Sequence, residues 1–253
     1  MIVTINGRNL AAQPGESVLD VARRGGIRIP TLCHHEALEQ WGGCRLCVVE
    51  ARPSGAKAAR VVPACLFPVR DGLAVETDTP RIHRIRATLL DLLLARCPEA
   101  ERIRELAGEY GVGRTSFVER ERPDKCILCN ICVRACAAVG AHAIATAGRG
   151  PAGRVSPAFG EDAVDCVGCG ACALSCPTGA IEMVDGEALR RIWDRTFERV
   201  RCSACGRSTL ADAHVALLVR RSGLPAETFA RCERCRREQT SRRFLDLVTA
   251  VEP

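Results

Sequence analysis

Apolar and polar positions alternate over residues 2–5, the period of a strand with one buried face. Asn6-Gly7 then reads as a hairpin turn, and residues 8–12 return. The period changes at Ser17 and Asp20, which stand at capping-box spacing ahead of Val18, Leu19, Val21 and Ala22, so a helix opens there and Gly25-Gly26 ends it. Alternation resumes at 48–51 and 73–77, predicting two further strands. From 81 to 110 the apolar residues recur at helical spacing. Ile82, Ile85, Leu89, Leu92 and Leu93 form one face, and residues 99–110, carrying Ile103 and Leu106, predict a second helix. No apolar run approaches the length of about 18 residues that a membrane span needs.

Composition argues against one large core, because only 4% of the 253 residues are aromatic. Several small metal-stapled modules fit better. Seventeen cysteines, with no charged-then-apolar leader at the start, point to a reduced cytoplasm. The formal charge is +6. A metal core held by four thiolates carries about −2, so four such sites would contribute about −8 and leave the loaded chain near −2. The basic balance is therefore weak support for a nucleic-acid partner.

Cys126, Cys129, Cys132 and Cys136 repeat their spacing at Cys166, Cys169, Cys172 and Cys176, followed by Pro177. This is the tandem C-x2-C-x2-C-x3-C run of a two-cluster ferredoxin, in which the last cysteine of each run ligates the other cluster. Cys126, Cys129, Cys132 and Cys176 are therefore assigned to one [4Fe-4S] cluster, and Cys136, Cys166, Cys169 and Cys172 to the other. Gly168, Gly170 and Gly179 suit tight turns that aim amides at sulfur, while Ile127, Leu128, Val167 and Ile181 would keep water away. Zinc sites or disulfides do not account for a repeated four-cysteine run.

Nearer the start, Cys33 is followed by Cys44 and Cys47 after a ten-residue gap, and then by Cys65. Three thiolates on a long loop with a fourth on a later segment suit a [2Fe-2S] cluster, although plant-type spacing has four residues in the first gap. His34 and His35 adjoin Cys33, but four thiolates are already present and no second histidine-bearing pair follows, so they read as loop residues. The stretches Ile29-Pro-Thr-Leu-Cys-His, Gly43-Cys-Arg-Leu-Cys-Val and Pro63-Ala-Cys65 look like the N-terminal domain of the respiratory complex I large iron-sulfur subunit. They equally resemble the small iron-sulfur, diaphorase-module subunit of NAD-reducing hydrogenases. The segment from Cys126 to Cys136 is similar to the next cluster segment of those subunits and of related NAD-dependent formate dehydrogenases. The resemblance covers about residues 1–185.

In the family resembled, the region of residues 81–110 usually holds an extra [4Fe-4S] cluster bound by one histidine and three cysteines. Here only Cys97 is present, with His83 fourteen residues before it, so that cluster is expected to be absent. Cys97 then reads as a small buried apolar residue. Gly148-Arg-Gly-Pro-Ala-Gly153 spells the dinucleotide fingerprint, but Pro151 and Pro157 preclude the helix it requires, so the stretch reads as a flexible insert. Toward the C-terminus, Cys202 and Cys205 pair with Cys232 and Cys235 as two C-x2-C knuckles twenty-six residues apart, suiting one tetrahedral zinc, or alternatively a mononuclear iron. Arg231, Arg234, Arg236, Arg237, Arg242 and Arg243 make this end basic. The aromatics Trp193, Phe197, Phe229 and Phe244 are scattered rather than arranged as a stacking platform.

The expected fold is α+β and multi-module. A β-grasp [2Fe-2S] ferredoxin domain spans 1–80, a helical linker 81–122, a bacterial-type 2[4Fe-4S] ferredoxin domain 123–185, and a helix plus a four-cysteine, zinc-ribbon-like module 186–253. The expected function is single-electron relay without bond chemistry. The resemblance implies a flavin-bearing NAD(P)H-oxidising subunit at one end, and at the other a catalytic subunit such as a formate dehydrogenase or hydrogenase. The rival from another class is a redox-sensing nucleic-acid-binding regulator that reads through the C-terminal ribbon.

Overall fold

The computed structural model describes residues 1–119, 124–157 and 163–249. The expected module boundary at 122 and 123 lies outside the described residues.

Strands β1 (Ile2–Ile5), β2 (Arg8–Ala11), β3 (Val48–Arg52), β4 (Arg60–Pro63) and β5 (Leu73–Glu76) form one mixed sheet in the order β2-β1-β5-β3-β4. The β1–β2 hairpin turns on Asn6 and Gly7, whose φ values of 49° and 74° are the left-handed pair a type I′ turn demands. Helix α1 (Val18–Arg24) crosses the sheet. Ser17 accepts from the Asp20 amide while the Asp20 carboxylate accepts from the Ser17 amide, closing the capping box. Val18, Leu19, Val21 and Ala22 meet Val3, Ile5, Val49, Leu73 and Val75 in a closed core. Periodicity did not reveal β4, a short strand carrying Arg60 and ending at Pro63 on the edge of the sheet.

Helices α2 (Pro80–Arg96) and α3 (Glu101–Glu109) follow, with Thr79 capping the first and Pro80 in its first turn. The buried stripe of α2 differs from the expected face: it runs Ile82, Arg86, Leu90 and Leu94, while Leu92 is exposed. Each step is four residues, so the register of the helix places a cation inside it. Leu90, Leu94, Ile103 and Leu106 pack with Leu32 and Leu46 of the cysteine-bearing loop before β3, joining the linker to the first module.

Next come α4 (Ile131–Val139), a hairpin of β6 (Ile144–Ala147) and β7 (Arg154–Pro157), and α5 (Ala171–Leu174). The stretch expected to be a flexible insert is the turn of this hairpin. Gly148 sits at φ 71°, and a Cβ there would lie 2.6 Å from the Ala152 carbonyl oxygen, so glycine is required by the turn and not by a phosphate. Helices α4 and α5 both start from a left-handed residue, Asn130 at φ 59° and Gly170 at φ 77°, as expected if the two cysteine runs repeat one backbone design.

The C-terminal segment contains a four-stranded sheet in the order β11-β10-β9-β8, built from β8 (Met183–Asp185), β9 (Leu189–Ile192), β10 (Arg195–Arg201) and β11 (Ser208–Ala211). Helices α6 (Asp212–Ser222) and α7 (Glu233–Thr249) follow. Because β8 pairs with β9, this sheet runs through residue 185, where the sequence suggested a boundary. It also presses on the second cysteine run: a Cβ on Gly168 would come within 2.7 Å of the Phe197 ring, and one on Gly170 within 2.7 Å of the Met183 sulfur. No described helix is long and apolar enough to cross a membrane.

Candidate metal centres

Cys33, Cys44 and Cys47 lie on the loop between α1 and β3, and Cys65 follows β4. The Cys47 and Cys65 sulfurs are 3.3 Å apart, too far for a disulfide, and the Cys44 amide donates to the Cys33 sulfur at 3.4 Å. Arg45, between Cys44 and Cys47, adopts a left-handed conformation at φ 58° that turns the chain there. Hydrogen bonding from Cys44 lowers the Cys33 thiol to about 6, and bonding from Cys65 lowers Cys47 to about 7, while Cys44 and Cys65 are pushed up by the same contacts. A cationic core, the charge a [2Fe-2S] group provides, would favour the thiolate form of all four.

Two arginines hold this loop. Arg86, buried in α2, donates to the Leu46 carbonyl at 3.1 Å, the Val48 carbonyl at 2.8 Å and the Tyr110 hydroxyl at 3.1 Å, so it grips the backbone on both sides of Cys47. Arg134 on α4 donates to the Cys33 carbonyl at 2.6 Å and to the Glu39 carbonyl, and lies over the Trp41 ring. Its Nε is buried without a hydrogen-bond partner among the described residues, an orphan cation edge that suits an anionic cluster. His34 meets Arg23 through Nδ1, and Nδ1 of His35 accepts from the Ala37 amide, so both serve the loop.

Two cavities lie within the paired runs. One is lined by Cys126, Cys129, Cys132 and Cys176, the other by Cys136, Cys166, Cys169 and Cys172. Each thus receives three cysteines of one run and the last of its partner. Burial pushes Cys129 and Cys172 up to about 11 and Cys132 up to about 12, and a cationic core would offset that cost of ionisation. Amides supply compensating donors: Leu128 to Cys126 at 3.5 Å and Ala180 to Cys176 at 3.3 Å in the first cavity, Gly168 to Cys166 at 3.5 Å and Ala143 to Cys136 at 3.2 Å in the second. The C-terminal sheet braces the second run. Arg195 donates to the carbonyls of Ala163, Val164 and Cys166, and Arg190, ion-paired with Asp185 at 2.6 Å, donates to those of Gly168 and Cys169.

The loop carrying Cys33, Cys44 and Cys47 and the first cavity share a small apolar cluster, in which Cys33 packs with Cys129 and Ile131, flanked by Leu38, Cys44 and Ile127. Cys97, fully buried, caps α2 and donates its thiol to the Cys126 carbonyl at 3.2 Å. Replacing it with alanine is expected to leave the iron content unchanged, and a fall of about four irons per chain in metal analysis would expose a further cluster.

The sulfurs of Cys202, Cys205, Cys232 and Cys235 all lie within 4.8 Å of one another, close enough to share one ion. The Cys232 amide donates to Cys202 at 3.3 Å, and that bond, with a second from the Ala204 amide, lowers the Cys202 thiol to about 6. The first knuckle follows β10 and the second opens α7.

Arg86, Arg134, Arg190 and Trp193 escaped the sequence reading. Only Arg86 left a usable signal, its place four residues from both Ile82 and Leu90.

Residues 1–80 match the 2Fe-2S iron-sulfur cluster binding domain family, and residues 125–180 and 165–211 match the 4Fe-4S dicluster domain family. The chain is 33% identical to a subunit of the NADH-quinone oxidoreductase of Rhizobium meliloti (strain 1021), over 81% of this chain and 26% of that protein. It is 32% identical to a subunit of the NADP-reducing hydrogenase of Solidesulfovibrio fructosivorans, over 72% of this chain and 36% of that protein. It therefore spans between about a quarter and just over a third of the length of these curated relatives. A chain in a crystal structure of an NAD+-reducing [NiFe]-hydrogenase in the H2-reduced state superimposes with a TM-score of 0.61 at 32% identity, covering 71% of this chain and 85% of that one. With two ferredoxin-type domains in this order and a solved relative matched over most of its length, the chain belongs to the family of iron-sulfur electron-transfer subunits found in NAD(P)H-linked oxidoreductases and hydrogenases.

Proposed function

We propose that the chain relays single electrons through three clusters between a flavin-bearing, NAD(P)H-oxidising subunit and a catalytic subunit of a larger oxidoreductase, such as a hydrogenase or formate dehydrogenase. The observation that carries this reading is the sorting of the tandem runs into two cavities, each with three cysteines of one run and one of the other. Cys33, Cys44, Cys47 and Cys65 of a β-grasp domain over 1–80 would hold a [2Fe-2S] cluster. Cys126, Cys129, Cys132 and Cys176 would hold one [4Fe-4S] cluster, and Cys136, Cys166, Cys169 and Cys172 the other. Such clusters supply reversible one-electron chemistry when bound. Cys202, Cys205, Cys232 and Cys235 would hold a structural zinc that staples a ribbon-like module over 186–253. A reducing cytoplasm suits this many thiols.

The chain's own residues set the order of the sites. Cys33 and Cys129 meet through Ile131, so the first module abuts the first run directly. Ile127 and Leu38 border this contact and exclude water, while Arg134 fixes the loop carrying Cys33. Arg190 and Arg195 hold the second run against the C-terminal sheet.

Metal analysis and low-temperature EPR on the anaerobically purified assembly test the reading. About ten irons and one zinc per chain, with a co-purifying flavoprotein, are expected. A chain that carries fewer than about six irons and purifies with no other subunit would overturn it.

A further inference from the structure

Both cluster cavities share one wall. Trp193 lines the cavity of Cys126, Cys129, Cys132 and Cys176 and also that of Cys136, Cys166, Cys169 and Cys172. It belongs to neither cysteine run. It sits in the turn between β9 and β10, where Trp193 at φ 53° and Asp194 at φ 57° both adopt the left-handed conformation that a two-residue hairpin needs. Left-handed backbone is uncommon for a residue as bulky as tryptophan. Neighbouring contacts hold the turn in place: Ile192, just before it, is buried in the core with Cys172 and Cys136, and Arg195, just after it, grips the carbonyls of Ala163, Val164 and Cys166.

The two faces of this wall are not equivalent. Toward the second cavity the indole Nε1 donates to the Cys172 sulfur at 3.5 Å. Toward the first, no hydrogen bond from the indole to a cysteine sulfur is present among the described residues. There the Thr178 hydroxyl lies 3.6 Å from the Cys176 sulfur. Backbone donors are matched more evenly, with Leu128 and Ala180 serving one cavity and Gly168 and Ala143 the other. An N–H aimed at a ligating sulfur stabilises the cluster more as its negative charge grows on reduction, and hydrogen bonds to sulfur are among the terms that set cluster potentials.

We propose that Trp193, supplied by the C-terminal sheet, is a positioning residue that seals both cluster sites from water and raises the reduction potential of the Cys136, Cys166, Cys169 and Cys172 site alone through its N–H···S bond. The indole takes no electron and gives up no proton. Its hydrogen bond favours the electron on the second site over the first. This inference rests on the cluster assignments proposed above.

The experiment is an EPR-monitored redox titration of the native assembly carrying Trp193→Phe or Thr178→Val, beside iron analysis. Phe keeps the ring and removes the N–H, so one of the two [4Fe-4S] reduction steps should shift to lower potential while the other stays. Thr178→Val should lower the opposite step. A Trp193→Phe variant that retains its iron and leaves both steps in place, or moves the same step as Thr178→Val, overturns the proposal. Unmodified protein with too little iron for two such clusters would instead defeat the cluster assignments. Should Trp193→Phe lose iron, unmodified protein labelled with 15N at the indole nitrogen replaces it. Pulsed EPR should then find a 15N coupling in one reduced [4Fe-4S] signal, and its absence from both overturns the proposal. Trp41 lies against Arg134, near Cys33, so its label reports on another site.

Discussion

Cys176→Ala is expected to abolish the same EPR signal as Cys126→Ala, fifty residues away, and to cost about four irons per chain. Cys136→Ala should instead copy Cys166→Ala. The expectation follows from the cavities, in which Cys176 joins Cys126, Cys129 and Cys132 while Cys136 joins Cys166, Cys169 and Cys172. The donors beside Cys176 are the Ala180 amide and the Thr178 hydroxyl, which serve sulfur and are poor ligands for iron. Structural metal binding is also folding free energy, so each variant should lose tertiary stability in the part of the chain that its cluster staples. If Cys176→Ala matched Cys166→Ala in the signal it removes, each run would close its own cluster and the crossed assignment would fail.

The second large effect is expected at Arg86. Arg86 is 2% exposed, and its guanidinium hydrogen bonds end on two carbonyls and a phenol. Arg86→Met keeps most of the apolar stem but strands the buried carbonyls of Leu46 and Val48, at about 1–3 kcal/mol for each unsatisfied group. A total near 3 kcal/mol corresponds to a fall in melting temperature of roughly 10 °C for a chain of this size. Because those carbonyls flank Cys47, the [2Fe-2S] absorbance should disappear before the [4Fe-4S] signals as the variant is warmed. Arg86→Lys, which can satisfy one carbonyl, should fall between the two. Simultaneous loss of all clusters in Arg86→Met would show that the arginine supports the whole chain and not this loop.

The sequence disclosed those parts in which local chemistry decides structure. The Asn6-Gly7 turn, the Ser17–Asp20 box and the alternation of β3 and β5 each carry their instruction within a few residues, and the cysteine runs carry theirs in their spacing. What stayed hidden depends on distant partners. Strand β4 is a four-residue edge strand whose arginine and proline mask the pattern, and it exists because β3 offers it a ladder. Strands β9 and β10 are rich in arginine and were not predicted, yet Arg190 is buried because Asp185 and the Gly168 carbonyl await it. Arg86 occupies a place in the buried stripe of α2 that an aliphatic residue would normally fill, and only the folded loop explains why. Trp193 showed no role in sequence because both cavities it lines are assembled from segments well before it.

Arg134 belongs to the helix of the first tandem cysteine run, yet its hydrogen bonds end on the Cys33 and Glu39 carbonyls of the first module. A carrier whose redox modules hang on a flexible tether must wait for them to collide, and its throughput is then limited by the search. Here a guanidinium clamp and the Cys33–Ile131–Cys129 contact fix the gap between donor and acceptor in advance. In the proposed relay, passage across that gap is set by tunnelling distance and driving force. In that relay the packing sets the distance, and what remains to be tuned is the driving force, which residues such as Trp193 supply from inside the chain.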